Sequence, residues 1–218
     1  MDEEIIDIQD DKQDKRPWMY ILGVFLILIL LVSFFPFYNM KFDPRPHHIP
    51  SIAEIGITSD DLSTETVKLR TDLDFLEFVT PADPFVKNTA NKISSIACDG
   101  ERVCHAKAIY YFVRDNFDYI SDPVDFEYVE KPQDFMFSGG GDCESGTLFM
   151  ANLMEAVGID SQIVFVPGHA FLRIKVPEAS QRYQRDTWIY LDWTCKDCGF
   201  GEIPRTSWEL PHKYLEVN

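Results

Sequence analysis

Three residues have the types and the order that thiol-based acyl transfer requires: Cys143, His169 and Asp192. In such chemistry a cysteine attacks a carbonyl carbon, an imidazole takes its proton, and a carboxylate fixes the tautomer and orientation of that imidazole. Cys143 stands in SGGGDCESGTLFMANLMEAV (138–157), where three glycines run into Asp142-Cys143. Leu148, Met150, Leu153, Met154 and Val157 then recur at helical spacing. The cysteine thus falls at or just before a helix N-terminus. Unpaired N–H groups and the helix dipole there favour a thiolate and offer donors to an oxyanion. His169 follows 26 residues later in PGHAFLRI, just before a strand, and Asp192 a further 23 later in IYLDWT, at the end of the next. Taken singly, each of these is an ordinary structural residue. Only the set points to chemistry.

The elements that must position the set read as helices first and strands second. Phe85, Val86, Ala90, Ile93 and Ile96 predict a helix over 84–97, and Ala106, Ile109, Tyr110, Val113 and Phe117 a second over 103–117. A loop rich in Asp and Pro is expected over 118–137, ahead of the glycines. After the central helix the period shortens to that of strands over 162–167, 171–176 and 187–192, with a hairpin connection over 177–186. This order predicts an α+β domain with the central helix packed on a small antiparallel sheet. The stretch 60–78 carries no clear period.

The five cysteines fall into two close pairs, Cys98 with Cys104 and Cys195 with Cys198, leaving Cys143 alone. An even set beside one odd cysteine fits two disulfides and a reactive thiol. The four allow three connectivities, of which the two local pairs are the simplest. A four-thiolate zinc site is the rival reading; CKDC has the right spacing for it, while the Cys98–Cys104 interval is longer than usual. Free thiols are a third.

The net charge of −16 excludes a nucleic-acid-binding face, which needs a surplus of Lys and Arg. Residues 1–16 carry seven acids and three bases and read as a solvated tail. The run 17–40, PWMYILGVFLILILLVSFFPFYNM, has no charge, long enough for a single membrane span. Trp18 and Tyr20 at one end, and Phe37 and Tyr38 at the other, suit the interfacial belts. It is longer than a signal-peptide core and lacks an A-x-A-like cleavage site. Lys12, Lys15 and Arg16 before it, against Lys41 and Arg45 after it, place the N-terminus in the cytoplasm and the rest outside. The segment 41–60 then reads as a linker whose His47 and His48 are solvated, and 61–218 as the domain.

The motifs GGGDCES (139–145), LMEAVGID (153–160), HAFLRI (169–174) and WIYLDWT (188–194) resemble, in order and spacing, the core of the transglutaminase-like superfamily. This is the papain-related Cys–His–Asp fold. The resemblance covers roughly 103–205, and CKDCGFGEIP is similar to membrane-anchored archaeal members. It implies Cys143 as nucleophile, His169 as base and Asp192 as orienter. It further implies amide chemistry through a thioester on a protein or peptide substrate, as peptidase, amidase or cross-linking acyltransferase, with no cofactor or metal. The alternative is an inactive module that keeps the fold as a binding scaffold at the cell surface. Ser145 stands where the family often has an acid, and Trp193 where Pro is usual, which would alter a loop over the site. Tyr119, Tyr128 and Gln133 are the candidate side-chain oxyanion donors. Nothing in the sequence gives the oligomeric state.

Overall fold

The structure is a computed structural model and describes residues 17–56, 67–68, 72–122 and 128–217. It divides into two units, Met1–Lys41 and Phe42–Asn218. The acidic tail 1–16 lies outside the described residues, as do the interfacial side chains of Phe37 and Tyr38. Among the described residues the first unit holds helix α1 (Pro17–Phe42). Its described large apolar side chains are exposed, from 47% at Ile29 to 71% at Val32. Among the described residues no helix is long and apolar enough to cross a membrane. The span expected over 17–40 is therefore not established by the fold.

In the second unit the linker contains a short helix, α2 (Ile52–Ile55), started by a Ser51–Glu54 capping box. His48 lies 3.0 Å from the Glu54 carboxylate, so it braces this cap. Helix α3 (Pro84–Ala97) matches the predicted bounds, because Asp83 caps it and Pro84 occupies its first turn. Helix α4 (Arg102–Asn116) follows, and the Cys98–Cys104 disulfide staples the turn between them with Cα atoms 5.9 Å apart.

The segment expected to be a plain loop has structure of its own. It contains β2 (Asp118–Tyr119), β3 (Tyr128–Val129) paired with β1 (Val67–Lys68), and helix α5 (Pro132–Ser138). Helix α5 is too short to show a period, and residues 123–127 lie outside the described ones. Phe135 of α5 fills the centre of the core, its ring 4.9 Å from Phe117, 5.2 Å from Phe149 and 5.6 Å from Trp193.

The glycine run now has a physical account. Gly139 ends α5 in the left-handed region at φ 75°. Gly140 and Gly141 form β4, which pairs in parallel with Asp118 and Tyr119 of β2. A Cβ on Gly140 would collide with the Asp118 carbonyl, and one on Gly141 would lie 2.8 Å from Glu130 Oε2 and 3.0 Å from the Phe135 ring. Helix α6 (Cys143–Ala156) starts two residues later and is buried against α3, α4, α5 and the sheet.

The sheet comprises β5 (Ser161–Val166), β6 (His169–Ile174), β7 (Gln184–Arg185), β8 (Trp188–Leu191) and β9 (Lys213–Glu216). They are antiparallel, in the order β7-β8-β6-β5-β9. Strands β5 and β6 turn through Pro167-Gly168, with Gly168 at φ 76° and Val166 facing His169 in the register. The expected α+β architecture is what forms: a central helix on a small antiparallel sheet. Strand β9, which pairs with β5, was not expected.

Candidate active site

Each of the three chemical residues is set by an element boundary. Cys143 is the first residue of α6, whose N-cap Asp142 accepts a hydrogen bond from the Ser145 N–H at 2.8 Å. His169 opens β6, fixed by the tight hairpin before it. Asp192 follows the last residue of β8, and Leu191 of that strand sits opposite Leu172 of β6. The helix start and the two strand ends meet through their neighbours. Thr147 donates to the Ala170 carbonyl at 3.3 Å, one residue from His169. Trp193 donates its indole N–H to the Cys143 carbonyl at 3.4 Å, one residue from Asp192.

His169 and Asp192 are in direct contact, with Nε2 2.8 Å from Oδ2. Asp192 is wholly buried. Its other oxygen accepts from the Thr194 amide at 3.0 Å and the Thr194 hydroxyl at 2.7 Å, so the carboxylate is fully directed. Burial pulls the imidazole towards neutrality, but the hydrogen bond and charge of Asp192, aided by Glu144, outweigh it and raise the His169 pKa. Because Nε2 is held by Asp192, Nδ1 is the nitrogen left to receive a proton.

Cys143 is the free cysteine among the five, and it is buried. The other two disulfide partners, Cys195 and Cys198, close a loop just beyond Asp192, with Cα atoms 5.3 Å apart. With four thiols consumed in two separate bridges, the four-thiolate zinc site has no ligands left. Among the described residues no group of three or more His, Cys, Asp or Glu is arranged to hold a metal ion.

The electrostatics of the thiol depart from expectation. The helix start was expected to favour a thiolate. Instead burial pushes the Cys143 pKa upward, and Glu144, whose Oε2 lies 2.7 Å from Sγ, adds to the rise. A helix dipole supplies roughly 0.3–1 kcal/mol and up to ~2 in partly buried sites. Desolvation and a touching carboxylate both oppose it. Asp142 beside it is raised as well, to about 7, mainly by burial and partly by Glu144 and Asp122.

Two further residues belong to the site. Trp193, expected in a loop over the nucleophile, lies beneath it. It is fully buried and fills the space where a Cβ on Gly146 would sit, so the first turn of α6 rests on the indole. Tyr110 donates to the Cys198 carbonyl at 3.0 Å and lies 3.4 Å from the Asp192 carbonyl, bracing the loop after β8. Of the oxyanion candidates, Tyr119 is about half exposed on β2. Burial, then the charges of Cys143, Asp142 and Glu144, raise its pKa and keep it a donor. Gln133 instead donates to Asp83 at 3.2 Å, and Tyr128 donates its backbone N–H to the Asp122 carboxylate at 2.7 Å. The one sequence signal for the Trp193 packing was the glycine in the first turn of a helix that has no need of one.

Residues 87–193 match the transglutaminase-like superfamily. Among solved structures, the chain is similar to Legionella pneumophila LapG at 19% identity and a TM-score of 0.39. That match covers 61% of this chain and 76% of that one. The EGTA-treated form of the same protein matches at 19% identity and a TM-score of 0.39, over 62% and 76% of the two chains. No curated protein sequence matches.

Proposed function

We propose that this chain, which carries a transglutaminase-like superfamily domain over residues 87–193, is a cysteine enzyme that opens amide bonds through a thioester on Cys143. The observation that carries the reading is the His169–Asp192 pair, 2.8 Å apart, joined through Thr147–Ala170 and Trp193–Cys143 contacts to a helix that starts at a free buried thiol. Sγ attacks the amide carbonyl carbon while His169 Nδ1 takes the thiol proton. The leaving amine then receives that proton as the carbon–nitrogen bond breaks. Water attacks the thioester, its proton passes to His169, and the acid and the thiol are released. In this reading Tyr119, whose pKa is raised in part by the charge of Cys143, is the side-chain donor to the oxyanion. Water is the acceptor that asks least of the site, since transfer to an amine needs one that excludes water.

The substrate is a protein or peptide, and α1 is a single-span anchor with its N-terminus inside and residues 41–218 outside. Support comes from the uncharged run 17–40 and the exposure of its described apolar side chains. The two disulfides fit an oxidising compartment. A membrane-impermeant protease on intact cells should then digest 41–218.

A second reading, an inactive scaffold, draws on one observation: the thiol contacts Glu144 and its pKa is raised. One experiment separates the two. The full chain is incubated with a peptide library with and without added amine, beside Cys143→Ala, and products are weighed by mass spectrometry. Cleaved peptides dependent on Cys143 support hydrolysis and amine adducts support transfer. Identical spectra from both proteins would leave only the scaffold.

A further inference from the structure

Away from the thiol, the second unit contains a cavity of about 470 Å3 whose charged walls are Arg45, Lys107, Arg114 and Asp115, faced by Tyr111 and Tyr183. It is lined by none of the three catalytic candidates. Three cations thus meet one carboxylate, in a chain whose net charge is −16. The next acid, Asp43, is already committed. It lies 2.5 Å from Lys107 Nζ, also accepts from Arg182, takes the Tyr183 hydroxyl at 3.1 Å, and lies 3.7 Å from Arg45. Counting Asp43 and Arg182, the region still holds four cations against two carboxylates.

Two of these cations, Lys107 and Arg114, are shielded from solvent, while Arg45 and Arg182 are exposed at the rim. Lys107 is only 2% exposed, with two of its three donors taken by Asp43 and the Pro44 carbonyl. Burial pulls its pKa down against the lift from Asp43, so a further anion beside it would be favourable. Arg114 spends one donor on Asp115 and one on the Cys198 carbonyl, out of five. Its guanidinium lies 4.6 Å from the Tyr111 ring centre, and the Lys107 ammonium 4.8 Å from that of Tyr183. A bond between Lys107 and Asp43 alone would fasten the linker to α4. It does not call for Arg45 and Arg114 around an open space of ligand size.

We propose that this cavity binds a phosphate-type anion, and that the anion is the headgroup of an acidic phospholipid. The chemistry is recognition by Lys and Arg donors of a multi-oxygen anion. The source follows from connectivity: Arg45, Pro46 and Ile49 wall the cavity, and Arg45 comes three residues after Phe42 ends α1. Only this choice of source rests on α1 being a membrane anchor.

The test uses the full chain in uncharged detergent, titrated calorimetrically with inorganic phosphate, short-chain phosphatidylglycerol and short-chain phosphatidylcholine. Phosphatidylglycerol should bind, inorganic phosphate should compete with it, and phosphatidylcholine should bind far more weakly. Arg45 has a side chain 72% exposed, so its replacement leaves the fold alone. Arg45→Gln should weaken binding about fivefold and Arg45→Glu about 25-fold, at roughly 1 kcal/mol per charge. Binding of neither phosphatidylglycerol nor inorganic phosphate, or binding indifferent to Arg45→Glu, overturns the site. Binding of inorganic phosphate without phosphatidylglycerol overturns the lipid source. Failure of the anchor is read separately, as failure of the chain to float with neutral phosphatidylcholine vesicles.

Discussion

Replacing Glu144 by Gln should make Cys143 a faster nucleophile towards a small electrophile. Glu144 Oε2 lies 2.7 Å from Sγ, and its charge opposes formation of the thiolate. Two unit charges at that separation repel by roughly 1.5 kcal/mol in bulk water and by roughly 6 kcal/mol at an effective dielectric constant of ~20. Glu144 is half-buried, so the lower figure is the safe one. It corresponds to about a tenfold larger thiolate fraction at pH 7. A thiolate of lower pKa is intrinsically less reactive, with a Brønsted slope of ~0.4–0.5, which returns about a factor of three. The net expectation is at least a three- to fourfold rise in the second-order rate of iodoacetamide labelling at pH 7. Where both proteins are fully thiolates the gain should reverse to a loss of about threefold, the intrinsic effect alone. Labelling followed by intact-mass spectrometry between pH 5 and 10 measures this. A rate that is unchanged or lower in Glu144→Gln across that range would refute the assignment of Glu144 as a group that, with burial, holds the thiol protonated.

Four other outcomes follow from the same geometry. Asp192→Asn keeps the shape but lets the imidazole adopt the wrong tautomer, so turnover should fall by on the order of 10⁴ with KM little changed, read by steady-state kinetics on any peptide that the library identifies. Asp142 holds its proton up to about 7 when folded, whereas an unfolded aspartate loses it near 4. Stability should therefore fall as pH rises through that window, by up to ~1.4 kcal/mol per pH unit, and Asp142→Asn should flatten the slope in urea titrations. Gly146→Ala drives a Cβ into the Trp193 indole and should cost ~1–3 kcal/mol of stability while altering Cys143 labelling. The β7–β8 turn holds Asp186 at φ 52° and Thr187 at φ 70°, and Thr187→Gly should gain about 1 kcal/mol in the same titrations.

How far the fold was legible in the sequence depended on how local its causes were. Helix α3 could be read to the residue because its cap, its first-turn proline and its apolar face lie within one stretch. Helix α5 spans seven residues, too few for a period to declare itself, and it exists because Phe135 is drawn into a cluster with Phe117, Phe149 and Trp193. Strand β9 is four mostly exposed residues at a sheet edge, so it carries no alternation to recognise. The glycine run was legible as a run and not as a cause, since its reason is the Asp118 carbonyl on another strand.

The site divides along the same line, and the division bears on how the enzyme would work. The order Cys143, His169, Asp192 is a property of the chain, and pairing of the last two followed from the two strands that carry them. The protonation state of the first was not legible. It is set by a buried surround and by Glu144, a sequence neighbour whose side chain an ideal helix would direct elsewhere. His169 and Cys143 are both raised, so the imidazole is a stronger base, and the thiol a weaker acid, than either would be in isolation. The Glu144 carboxylate, 2.7 Å from Sγ, is the contact that an amide carbonyl approaching Sγ would displace. Its removal takes away the charge that raises the thiol and one of the charges that raise the imidazole. Substrate entry would then make the thiol a stronger acid at the cost of a slightly weaker base, which makes Glu144 the contact through which binding is converted into nucleophilicity.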